Sequence, residues 1–197
     1  MKDVYMNHFY SSLLSALGAV LLSASSATAN DYCEDLWFTR NAIMDRAGYC
    51  FGSPLGQAIF DNSDCLGKSV SLSSDDQKSV TELQRLEQQE HCSIDTAKRH
   101  LSLDDLGLRK GLWHLPLRDL SGSACIGWLG PQVGLRIGHS QDAPIIGKIS
   151  PGDTIGYNYL PEDGWDYVQV YDSNWSLKSA GWTDLVVSPK SCRDIAG

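Results

Sequence analysis

The chain of 197 residues is long enough for one ordinary domain or two small ones, and 42% hydrophobic with 20% charged residues is the composition of a folded protein. The formal net charge is −8, with no Lys/Arg cluster, which argues against nucleic acid and anionic membrane surfaces as partners.

Residues 1–29 read as a signal peptide. Lys2 lies in the n-region, Leu13 to Leu22 supply the apolar h-region, and Ala27-Thr28-Ala29 forms an A-x-A site, so cleavage is expected after Ala29. The apolar run is too short to cross a bilayer comfortably and no later stretch is long enough, so no membrane span is expected after cleavage. The expected location is periplasmic or secreted. Cysteine usage agrees: all six cysteines lie beyond the cleavage site, and an even number suits a disulfide framework.

A three-helix module is predicted over 30–95. Asp31 and Glu34 stand as a capping box, and Cys33, Leu36, Trp37, Arg40, Ile43, Met44 and Ala47 recur at helical spacing on one face. Gly48 ends this helix. Ser53 and Pro54 open a shorter one. A third follows Ser74, with Val80, Leu83 and Leu86 inward. Cys33 and Cys50 lie at opposite ends of the first helix, about 25 Å apart. A disulfide needs Cα atoms within roughly 7 Å, so the two cannot bond each other. If the first and third helices pack antiparallel, Cys33 meets Cys92, and Cys50–Cys65 closes the loop holding the middle helix. That closure is worth roughly 3 kcal/mol. Cys125–Cys192 then braces the second half. Arg40 sits on the apolar stripe, either as a packed stem with a polar partner for its head or as part of an anion site.

Residues 96–112 read as a linker, and 113–197 as short strands broken by Gly, Pro, Asp and Asn. Pro151-Gly152 marks a turn, and "WDYVQVY" alternates, placing Trp165, Tyr167, Gln169 and Tyr171 on one face and Asp166, Val168 and Val170 on the other. "LWHLP" and "ACIGWLG" are candidates for extra strands. Trp165 and Trp182 read as core. Tyr157, Tyr159 and Trp175 stand in polar or turn-rich contexts and could line a groove, since aromatic faces suit sugar rings and extended peptides.

Two resemblances extend this reading. "TRNAIMDRAGYCF" carries Arg40, Asn41, Ile43, Arg46 and Gly48, and over about residues 32–66 the chain resembles the YARHG family of small secreted domains. The motif's tyrosine, alanine and histidine are replaced by Met44, Asp45 and Ala47. The second half, "GLRIGHSQDAPIIGKISPGDTI" with "GWDYVQVYD" and "AGWTDL", resembles a bacterial SH3 domain over about 133–187. The matching positions are Leu135, Ile137, Ile145, Ile146, Gly147, Gly152, Asp153, Trp165, Val168, Val170, Gly181, Trp182 and Leu185. Together the resemblances imply an α+β protein: a disulfide-stapled three-helix module followed by an SH3-like β-barrel.

Catalytic signatures are weak. His91, His100, His114 and His139 make neither H-E-x-x-H nor a zinc spacing with cysteine, and "FDNSDC" lacks the glycine and distant glutamate of a calcium loop. There is no G-x-S-x-G elbow. "SGSACIGW" is faintly similar to the L,D-transpeptidase nucleophile motif, but Ser123 and Gly127 stand where histidine and arginine are needed, and a thiol without a base is a weak nucleophile. No catalytic residue, metal or cofactor is therefore expected. The expected role is a non-catalytic periplasmic binding or scaffold protein that recognises cell-wall peptides or an envelope protein through Tyr157, Tyr159, Trp175 and Arg40. The rivals are a peptidoglycan-acting envelope enzyme and an inhibitor of a secreted hydrolase.

Overall fold

The computed structural model describes residues 26–197. Residues 1–25 of the expected signal peptide lie outside the described residues, and 26–29 begin helix α1 (Ser26–Arg46). Because the helix runs through Asp31, the expected capping box is not formed. Glu34 is instead buried, and its carboxylate accepts from the Ser102 backbone N–H. Gly48, at φ 85°, ends the helix in the left-handed region where a Cβ is resisted. Helix α2 (Pro54–Ile59) is capped by Ser53, whose side chain accepts from the Gly56 N–H. Helix α3 (Ser74–Gln89) is capped by Ser73, one residue earlier than the spacing predicts.

Helices α1 and α3 pack antiparallel. Cys33, near the start of α1, is bonded to Cys92, just beyond α3, while Ile43 further along α1 shares a cluster with Val80 near the start of α3. The other two disulfides are Cys50–Cys65 and Cys125–Cys192.

Helix α1 is not the one-faced amphipathic helix that its apolar spacing predicts. Every residue from Tyr32 to Thr39 is buried. Leu36 and Ile43 pack with Val80 and Leu83, and Trp37 and Phe38 pack with Phe51, Leu55, Ile59 and Phe60. The polar remainder, Asp35 and Thr39, meets helix α4 (Leu106–Lys110). A buried carboxylate is tolerated only with partners, and Arg109, fully buried, supplies them. Its two terminal nitrogens donate to the two Asp35 oxygens at 2.8 and 2.9 Å, and one donates to Thr39 Oγ1 at 2.6 Å. The guanidinium also lies over the Phe38 ring, 4.8 Å from its centre. The stretch expected as a linker, 96–112, contributes four buried side chains to the interior: Leu101, Asp105, Arg109 and Leu112.

The second half forms strands β1 (Arg118–Trp128), β2 (Val133–Arg136), β3 (Ile145–Ile149), β4 (Thr154–Tyr159), β5 (Asp166–Tyr171), β6 (Leu177–Thr183) and β7 (Cys192–Ala196). They make a seven-stranded sheet in the order β3-β2-β6-β5-β4-β1-β7, antiparallel at every pairing. This is an open sheet with β3 and β7 at its edges, a coarser architecture than the expected SH3-like barrel. "ACIGW" falls within β1, whereas "LWHLP" is not a strand.

Strand β5 is buried on both faces. Val168 and Val170 join Leu135, Ile149 and Ile155 in one cluster, and Tyr167 joins Trp182, Tyr159 and Leu112 in another. The second face is held to the helices through Asp105, whose Oδ2 accepts from Tyr167 at 3.2 Å and from Gln169 at 2.9 Å. Tyr159 donates to Asp35 at 3.0 Å. Burial pushes the Asp105 carboxyl up, against the pull of Arg109. Burial also opposes the Arg109 charge, but Asp35, Tyr159, Asp105 and Tyr167 together outweigh it and hold the guanidinium protonated.

Breaking this pair strands a buried charge. Asp35→Asn and Arg109→Leu should each lower the unfolding free energy by ~3–5 kcal/mol in urea titrations, and a D35L/R109L double variant should lose less than the sum.

Candidate functional site

The four residues expected to bind ligand do not converge. Arg40 donates from Nε to both Glu87 oxygens at 3.0 Å, tying α1 to α3, so its head has a structural partner. Tyr159 is only 5% exposed and belongs to the Asp35–Asp105–Arg109 network, so it is mortar between the halves rather than a groove wall. Trp175 is 62% exposed, at φ 60° in the β5–β6 turn, packed against Tyr171 at 6.2 Å between ring centres. It stands at the far end of that hairpin from Asp166. Of the four, Tyr157 lines the cleft that opens in the sheet, and Arg40 lines a separate groove with Met44, Tyr49 and Leu72.

That cleft follows from the way the sheet splits. The β4–β5 ladder pairs Thr154 with Tyr171, Ile155 with Val170 and Gly156 with Gln169, and stops there. Beyond it β4 stays with β1, Tyr157 opposite Ser123, while β5 stays with β6, Asp166 opposite Thr183. The strands part, and a cleft of about 470 Å³ opens among Tyr157, Asp166, Leu185, Val187, Cys125 and Ile195. Its floor is the sheet core, against which Tyr157, Leu185 and Val187 pack. Its rim exposes apolar side chains, with Val186 at 90% and Ile195, on the edge strand β7, at 45%.

Two polar groups in the cleft have no protein partner among the described residues, one closed off from water and the other half-buried. The Tyr157 hydroxyl is shut off from solvent without a hydrogen-bond partner, and burial, with Asp166 adding, pushes its phenol up. Among the described residues no hydrogen bond or ion pair reaches the Asp166 carboxylate, and burial raises its pKa. Buried polar groups are normally paired, so unpaired ones in a cleft are candidates for contact with something else.

A second groove, about 570 Å³, runs along the seam between α1, α3 and the sheet, with Arg46, His114, Leu160, Glu162 and the half-exposed Trp113 in its lining. Arg46, the arginine shared with the YARHG motif, donates to the carbonyls of Leu112 and Trp113 and so anchors the chain entering the sheet. Behind it the rings of His114 and His139 meet edge to face at 3.7 Å between centres.

With this geometry in hand, the comparisons with known proteins are informative about family and silent about activity. The family model described as "Domain of unknown function (DUF4453)" matches residues 91–197. The chain belongs to the DUF4453 family. The YARHG domain model matches residues 11–88, a wider span than the expected 32–66. No curated protein and no solved structure matches the chain. The cleft, β7 and the Cys125–Cys192 bond all lie within the DUF4453 match. Asp105 and Arg109 lie within it too, whereas Asp35 lies in the YARHG match. The network at the seam therefore joins the two families' regions.

Sequence reasoning missed Asp35, Asp105, Arg109 and Asp166. The i,i+4 spacing of Asp105 and Arg109 was a weak signal for α4. Nothing local marks Asp166 as unpaired.

The two tyrosines should separate cleanly. Tyr159→Phe removes a satisfied buried hydroxyl and should cost ~1–3 kcal/mol, whereas Tyr157→Phe removes an unsatisfied one and should leave the melting temperature unchanged or higher. Burial lowers the His114 pKa, as do His139 and Arg46, with Asp163 opposing. The unfolded chain therefore binds that proton more tightly, and stability is lost as pH falls through the unfolded histidine value of ~6.5. Urea titrations at pH 7.5 and 5.0 should show the advantage of the wild type over His114→Gln shrinking in acid.

Proposed function

We propose that the protein is an exported, non-catalytic binding protein of the cell envelope that holds an extended cell-wall peptide in the cleft beside β7. The observation that carries this is the cleft itself: an apolar trough with unpaired polar groups, next to an edge strand. An edge strand offers unpaired backbone groups to an added strand, and a neighbouring pocket takes alternate side chains. The proposed layout is a helical module at 30–95 and a strand module at 113–197, with 96–112 joining them. The finer SH3-like reading of the sheet is supported by the β2–β3 hairpin, the β4–β5–β6 meander and the pairing of Arg136 with Trp182 that brings β2 to β6.

Export is supported by the signal-like leader and by the cysteines, none of which is free. A non-catalytic role is favoured because every cysteine is engaged in a disulfide, which leaves no thiol nucleophile.

Purified sacculi should retain the protein in a pull-down. Val186→Lys places a charge on the apolar rim at an exposed position, so the fold should survive, and retention should fall ~10-fold or more; Trp175→Ala should bind as the wild type does. Undiminished retention of Val186→Lys would remove the cleft from the proposal, and an envelope protein captured in place of sacculi would replace the ligand.

A further inference from the structure

The charges of the cleft narrow the chemistry of its occupant. Both charged residues in its lining, Asp166 and Asp184, are acidic, and among the described residues no Lys or Arg lines it. Asp184 already accepts from Gln141 Nε2 at 2.6 Å. Asp166 is different. It is half-buried, it faces an apolar wall of Leu185 and Val187, and no described residue neutralises it. The nearby Tyr157 hydroxyl likewise lacks a partner.

A carboxylate held partly out of water without a counter-ion costs free energy that a bound cation recovers. A carboxylate-bearing ligand would meet like charge, and a purely apolar one would desolvate Asp166 further without pairing it. An ammonium group carries three donors and no acceptor, matching an unpaired carboxylate. Its aliphatic stem can lie along apolar side chains while its head meets the charge.

Resting on the peptide reading above, we infer that the cleft selects peptides bearing a primary amine on an aliphatic stem, as in lysine-like residues, with the ammonium paired to Asp166 and the stem along Leu185 and Val187. The rest of the peptide runs beside β7. The selected group is a side-chain amine that cross-linking or acylation would abolish, so the protein distinguishes free peptide ends from modified ones.

The test uses the full exported chain and two probes, untreated sacculi and sacculi whose free amines have been N-acetylated. Wild-type retention should fall ~10-fold on acetylation. Asp166→Asn should bind untreated sacculi at that lower level and be indifferent to acetylation. Asp142→Asn, which removes the same charge from an exposed position outside the cleft, should behave as the wild type. Because Asp166 has no partner to lose, its variant should melt no lower than the wild type, which separates lost binding from lost folding. Retention that neither acetylation nor Asp166→Asn alters overturns the amine selectivity while the peptide reading stands. Absence of wild-type retention on either probe overturns both.

Discussion

The Arg109–Asp35 ion pair is the contact on which the remaining architecture depends. It joins α4 to α1 across a sequence separation of 74, and through Tyr159 it reaches the sheet. None of the participants tolerates isolation. Arg109 is fully buried, Asp35 and Asp105 nearly so, and a lone charge in such surroundings would either neutralise or drag water into the core. The network therefore acts as a register pin: helices and sheet dock in a relation that brings two carboxylates, two phenols and an amide together with the terminal nitrogens of one guanidinium, while Arg109 Nε has no partner. Its net contribution to stability is smaller than its contribution to specificity, because desolvation offsets much of the attraction.

This pin also explains what the aromatic residues do. A strand with alternating large side chains invites the reading of one greasy face inward and one decorated face outward. In β5 both faces are covered, one by the sheet's own aliphatic cluster and the other by α4 and the residues around it. Tyr159, Tyr167 and Trp182 are consumed in that second layer, with ring pairs at 5.0 and 5.8 Å between centres. What remains free for recognition lies on the opposite side of the sheet, where β4 and β5 separate and β7 forms an edge. The surface available for binding is thus set by docking of the helical half, even though that half contributes no side chain to the cleft.

The disulfides play a complementary part. Cys33–Cys92 and Cys50–Cys65 brace a small helical core, and Cys125–Cys192 links β1 to the start of β7, beside the cleft. Each restricts the unfolded chain more than it adds contacts to the folded one. The edge strand consequently has a covalent anchor at its start.

Several features were legible from sequence because their causes are local. Gly48 stops a helix through its own φ, Ser53 and Pro54 start one within a single turn, Gly152 supplies the left-handed turn at φ 91°, and the valines of β5 reveal an apolar face by alternation. The features that define the candidate site were not. Asp35 looks like any acidic residue on a polar helix face until Arg109 arrives, and Tyr159 looks like a groove aromatic until its hydroxyl meets Asp35. Asp166 is distinguished only by the absence of a cation that the rest of the fold could have supplied. Sequence by itself determined helices α1 to α3, much of the strand pattern and the even complement of cysteines, because backbone geometry and side-chain periodicity act over a few residues. Tertiary structure alone decided which polar groups are paired and which are left open, because the free energy of a buried charge depends on partners brought from far along the chain.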